Sequence, residues 1–124
     1  MTLKELYDLI GGDYDRAIGT LRIEKLMDKH IRKFPAGGVA EAVIAAGETM
    51  DPTQLFESAH AMKGVCGNLG LTALASLASD IAEEYRPGKT RTMTDGEVKE
   101  KIGEIGALYK KTAEGIRLYE SALG

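Results

Sequence analysis

The sequence predicts an all-α protein: an antiparallel (up-down) four-helix bundle with additional short N-terminal helix or helices packing on it. Three observations carry this expectation. Composition favours helix over strand, because aromatic residues make up 6% of the chain, Trp is absent, Pro occurs 3 times, and Ala, Leu, Glu, Lys and Met are plentiful. Apolar residues recur at steps of three and four rather than two. Helix start signals and Gly or Pro stops punctuate the chain at short intervals.

Taken in order, Thr2 and Glu5 have the spacing of a capping box. Leu3, Leu6, Tyr7 and Ile10 then mark a short opening helix that Gly11 and Gly12 stop. Asp13 is positioned to cap a longer second helix whose apolar residues are Ile18, Ile23, Leu26, Met27, Ile31 and Phe34. It ends before Pro35, since the residue preceding proline avoids the α region. A third, weaker helix is expected from about Gly38 to about Ala46, with Val39, Ala42, Val43 and Ala46 on one face and Gly47 as its stop. Asp51 and Pro52 then supply an N-cap and a first-turn proline. The helix they open should reach about Asn68, and Thr72 caps a fifth carrying Leu74, Leu77, Ile81 and Tyr85. Pro87, Gly88 and a polar stretch from Lys89 to Met93 separate it from the last helix. That helix opens on a second capping box, Thr94 with Glu97, and places Val98, Ile102, Ile105, Tyr109, Thr112, Ile116, Tyr119 and Leu123 on one seam. A seam so regular suits a coiled coil, but the preceding amphipathic helices need the same burial, and an intrachain bundle satisfies both. Gly103, Gly106 and Gly115 interrupt it as candidate sites of close helix approach.

Size and charge narrow the function classes. At 124 residues and 44% hydrophobic content the chain suits a single domain, 1–124, with one core. A formal net charge of −3 without clustered Lys and Arg argues against nucleic acid as a partner. Cys66 is the only cysteine, which excludes an internal disulfide and a multi-cysteine zinc site and suits a reducing compartment. Apolar stretches are short and interrupted, so no signal peptide or membrane contact is expected and a cytoplasmic location is; a monomer is expected, with a dimer through the opening helix left open.

The informative segment runs from Asp51 to Leu69. At about 100° per residue, Leu55, Ala59, Met62, Cys66 and Leu69 form one apolar stripe suited to the core. His60, Lys63, Gly64 and Gly67 group within about 100° on the opposite side, with Phe56 one turn earlier at its edge. Two glycines inside a helix each cost roughly 0.5–1 kcal/mol relative to alanine, and no turn or cap explains both. They leave bare backbone beside His60, where another macromolecule can approach the imidazole. Lys63, one turn on, is a flexible cation within reach of an oxyanion attached to that ring. An accessible imidazole with a free nitrogen is a competent nucleophile toward phosphorus.

The run HAMKGVCGNLG, with His60, Lys63, Gly64, Leu69 and Gly70, resembles the HxxKGxxxxLG signature of histidine-phosphotransfer domains. The resemblance extends over the whole chain, because that family is a helical bundle in which a hairpin of two helices carries the histidine on its first arm. It implies that His60 is phosphorylated, that Lys63 assists the phosphoryl group, and that Gly64 leaves room for a receiver domain. Phe56 and Gly67 join the partner-binding set on helix geometry alone. Leu69 and Gly70 match the family's helix-end turn. Ala61 and Met62 stand where many members have Thr or Ser and then Leu; Met fills comparable core space. The implied role is a phosphocarrier in a two-component phosphorelay whose partners are a response-regulator receiver domain, a sensor histidine kinase, or both. No cofactor is expected on this chain, and the divalent metal is expected on the receiver. No GxxxxGK nucleotide loop occurs, so a carrier and not a kinase is expected.

Other readings of the same residues are weaker. His30 sits beside Met27, Ile31 and Phe34 without a glycine shelf and reads as structural; Cys66 reads as a buried apolar residue, and Glu83 with Glu84 as a solvated face. Glu57 and His60 have the ExxH spacing of helical di-iron ligands, but a dinuclear site needs a second such pair, and Met27 stands where His30 would require Glu. No Ser or Cys pairs with both a base and an orienting acid. A helical module that binds receivers without carrying phosphate, and the phosphorylatable domain of a chemotaxis-type kinase, remain as alternatives. With the sequence ending near Gly124, a freestanding protein is expected.

Overall fold

The computed structural model describes residues 1–123. Its helices are α1 (Leu3–Ile10), α2 (Tyr14–Leu21), α3 (Glu24–Lys33), α4 (Val39–Thr49), α5 (Pro52–Asn68), α6 (Thr72–Glu84) and α7 (Asp95–Ala122), with a 3₁₀ turn over Phe34–Gly37 between α3 and α4. Consecutive helices α4, α5, α6 and α7 run up and down, and α7 closes the square by packing on both α6 and α4. This is the expected bundle. The short helices dress it: α1 lies on α7, α2 on α5 and α3, and α3 on α7. One apolar cluster joins them, from Leu3 and Tyr7 through Met27, Val43, Leu55 and Ile81 to Tyr119.

Both capping boxes form, at Thr2/Glu5 and at Thr94/Glu97. Asp51 accepts from the backbone N–H groups of Thr53 (2.9 Å) and Gln54 (3.1 Å), which starts α5 at Pro52.

Several local expectations need correction. The long second helix is two helices: Arg22 takes a left-handed φ of 78° and Ile23 is extended. No Gly or Pro marks this break. It turns the chain so that Met27 and Ile31 bury, while Ile23 (52% exposed) and Leu26 (38%) stay at the surface, and the Tyr14 hydroxyl donates to Glu24 across it. Gly47 does not stop α4, which continues to Thr49 and ends on Met50 at φ 58°. A Cβ at Gly47 would lie 2.6 Å from Cδ1 of Ile102, so the glycine serves the α4–α7 contact instead. Within α4, Ala42 is exposed and Ala40 is buried in its place. Thr72 is the first residue of α6 rather than its cap, and Leu71 precedes it without a side-chain bond. On α7, Val98, Ile102, Ile105, Thr112, Ile116 and Tyr119 are buried as the seam requires, Tyr109 is half-buried and Leu123 is exposed. Gly115 does mark a close approach, to Ile10 of α1, whereas nothing lies near Gly103.

The acidic pair divides. Glu83 is exposed and pairs with Arg86 at 3.2 Å. Glu84 is buried, and its carboxylate accepts from Arg91 Nε (2.8 Å), Lys89 Nζ (3.4 Å), the Thr92 hydroxyl and N–H (2.9 Å each) and the Met93 N–H (2.8 Å). The polar stretch after α6 is therefore folded around one carboxylate.

Candidate functional site

The site is set by how α5 is clamped. Leu55, Ala59, Met62 and Cys66 are fully buried, and this stripe fixes the rotation of the helix about its axis. His60, Lys63 and Gly64 are thereby turned to solvent and Gly67 is half-exposed. Phe56, half-buried at the edge of the core, stacks on the His60 ring with centroids 5.5 Å apart and planes 19° apart. Such stacking restricts the imidazole to a few orientations while leaving a ring edge free. Among the described residues, no protein group hydrogen-bonds or ion-pairs with the His60 or Lys63 side chain. The five residues singled out from the sequence thus share one face of one helix.

A Cβ built at Gly64 or at Gly67 meets no atom within 4 Å. Neither glycine is needed for intramolecular packing, so both lie on an open backbone surface beside the histidine. That surface is flanked by two depressions. On one side a cleft of about 260 Å³ is lined by Lys63, Gly67, Arg16, Thr72 and Ser76. On the other a larger, mainly apolar groove of about 390 Å³ passes Val65, Asn68, Phe34 and His30.

The C-terminal end of α5 is held by contacts distant in sequence. The Tyr7 hydroxyl donates to the Leu69 carbonyl at 2.7 Å, and the Asp13 N–H donates to the Gly70 carbonyl at 2.7 Å. Gly70 has φ +71°, and a side chain there would overlap the Asp13 carbonyl oxygen and press on Ala17. Leu69 and Gly70 are structural, as expected, but Leu69 also docks α1 and Gly70 docks α2. Arg16, which α2 brings to the cleft, was not singled out from the sequence because a lone Arg 44 residues before His60 carries no local signal.

His30, expected to be structural, is exposed on α3. It faces the groove on the far side of the glycine surface and has no stacking partner. Cys66 is buried, and burial pushes its thiol up to about 12, so it remains protonated and unreactive. Among the described residues, no three His, Cys, Asp or Glu side chains converge as a metal site, and no helix is long and apolar enough to cross a membrane.

An exposed, stacked histidine on the first arm of a helical hairpin, with a cation one turn away and open backbone beside it, fits a histidine-phosphotransfer bundle. The model of the Hpt domain family matches residues 23–108, well over half of the chain, and the chain belongs to that family. No curated protein and no solved structure matches it. Its role is accordingly histidine phosphotransfer within a phosphorelay, in which Hpt domains interact with receiver domains and histidine kinases of two-component systems.

Proposed function

We propose that this chain carries a phosphoryl group on His60 and exchanges it with the aspartate of a response-regulator receiver domain. The observation that supports this best is the pairing of an exposed His60 with Gly64 and Gly67, glycines that no internal contact requires. The unprotonated ring nitrogen attacks phosphorus in line as the P–O bond to the aspartate breaks, and that bond's electron pair stays with the carboxylate. The reverse step returns the group to an aspartate. Phe56 holds the ring for this approach, Lys63 screens the charge on the phosphoryl oxygens, and Gly64 with Gly67 admits the receiver's backbone. The divalent metal belongs to the receiver's acidic pocket.

Residues 1–22 lie outside the segment that the family model matches, yet Tyr7 and Asp13 hydrogen-bond to the turn after α5. The single domain we propose therefore includes them. The chain acts as a stoichiometric carrier in the cytoplasm.

His60 and His30 are both exposed, which makes them a matched pair for testing the assignment. His60→Gln is expected to abolish phosphoryl acceptance from a kinase–receiver relay while circular dichroism shows the native helix content. His30→Gln is expected to accept phosphate as the parent does. Equal labelling of the two variants would overturn the assignment.

A further inference from the structure

Arg16 and Lys63 line the same cleft, with Gly67, Thr72 and Ser76 completing its wall. The two cations come from different helices, and no carboxylate within the described residues pairs with either. Asp80, the nearest acid along α6, is taken by Lys101 at 3.1 Å. On a chain with formal charge −3 this leaves a local positive site walled by two hydroxyl-bearing residues. Two cations without ion-pair partners on one cleft favour an anion between them.

The placement of Arg16 is built into the fold. Its own N–H donates to the Asp13 carboxylate at 3.0 Å, Asp13 is bonded to Gly70, and the next residue, Ala17, is fully buried against that glycine. The turn that ends the histidine helix therefore fixes where α2 starts, and with it the approach of Arg16.

We propose that this cleft is a docking determinant in which Arg16 holds a carboxylate side chain of the receiver domain bound over His60. The inference rests on the reading of His60 given above. A partner carboxylate is favoured over free phosphate because Gly67, part of the surface a receiver must cover, is also a wall of the cleft. A docked protein excludes water there and strengthens the pair, and the planar guanidinium matches a carboxylate in bidentate fashion. Thr72 and Ser76 hydroxyls are available as further donors, and Lys63 stands between the cleft and the imidazole. Arg16 precedes the segment that the family model matches, so the site is not read from the family.

The test uses the full chain in a His30→Gln background, so that phosphoramidate, a small donor that needs no docking, loads His60 alone. Transfer is then followed against concentration of the receiver domain that exchanges phosphate with the chain in the relay assay. Arg16→Glu is expected to raise the half-saturating receiver concentration about tenfold or more at roughly 0.05 M salt, with the gap narrowing at roughly 0.5 M and the maximal rate retained. Arg16→Lys should lie between the two. Glu suits the first turn of α2, so folding is preserved. An unchanged concentration dependence in Arg16→Glu overturns the docking role. A fall in maximal rate alone, or impaired loading by phosphoramidate, overturns it in favour of an action on the phosphoryl group. Loaded His60 that passes nothing to the receiver in the parent protein defeats the carrier reading itself, and this inference with it.

Discussion

Gly64 weakens α5 by about 0.5–1 kcal/mol relative to alanine and recovers none of it through packing, because the space where its Cβ would lie is empty. Gly64→Ala is therefore expected to raise stability by about that amount in thermal or urea unfolding while slowing transfer to the receiver. A variant both more stable and equally fast would remove the steric role of the glycine. At this scale the sequence was highly legible: a helical wheel over Asp51–Leu69 separates the buried stripe from the face that carries His60, and the structure keeps that separation. What it could not show was Phe56 stacked flat on the imidazole, since a wheel gives angular position and not ring orientation. Glu84 was misread for a related reason. Its burial depends on a loop that folds back over it, and nothing local to Glu83 and Glu84 tells the two apart.

The helix ends that carry side-chain caps were legible, and those set by tertiary contact were not. Asp51, Thr2 and Thr94 cap by local bonds and start their helices as expected. The break at Arg22 has no local cause; it follows from packing, with Ala17 seated at Gly70 on one side and Met27 and Ile31 entering the core on the other. Gly47 misled in the opposite sense, being small to admit Ile102 rather than to end α4. Gly70 joins these cases to the site. Its positive φ and its contact with Asp13 both exclude a side chain, so Gly70→Ala is expected to cost on the order of 2–3 kcal/mol and to loosen α2 from the hairpin. Hydrogen exchange at the Asp13 amide, which donates to Gly70, measures the loosening directly. Unchanged protection there would show that α2 is held by something other than this turn.

For the whole molecule, the Glu84 cluster ties the loop between α6 and α7 to the bundle. Burial alone would raise the Glu84 carboxyl, but Arg91, the Met93 N–H and both donors of Thr92 outweigh it and lower it from 4.5 to about 2. A group depressed on folding contributes stability above its unfolded value and loses it as pH falls through the folded one. Glu84→Gln is expected to be less stable than the parent by on the order of 2 kcal/mol at pH 7, with the difference shrinking between about pH 5 and about pH 2. Urea unfolding of both proteins across that range checks it; a gap independent of pH would mean that the ionised form is not what the loop requires. Phosphotransfer should persist in this variant at neutral pH.

On the reading proposed above, the bundle, its apolar cluster and the signature on α5 serve one end, the presentation of the His60 imidazole to a partner. The most direct test is transfer from a phosphorylated receiver domain to this chain, with the modified residue mapped by mass spectrometry under alkaline conditions that preserve phosphohistidine. The expected result is phosphate on His60 alone, returned to receiver aspartate on further incubation. A receiver that binds tightly yet leaves His60 unmodified, or phosphate found on His30, would contradict the account.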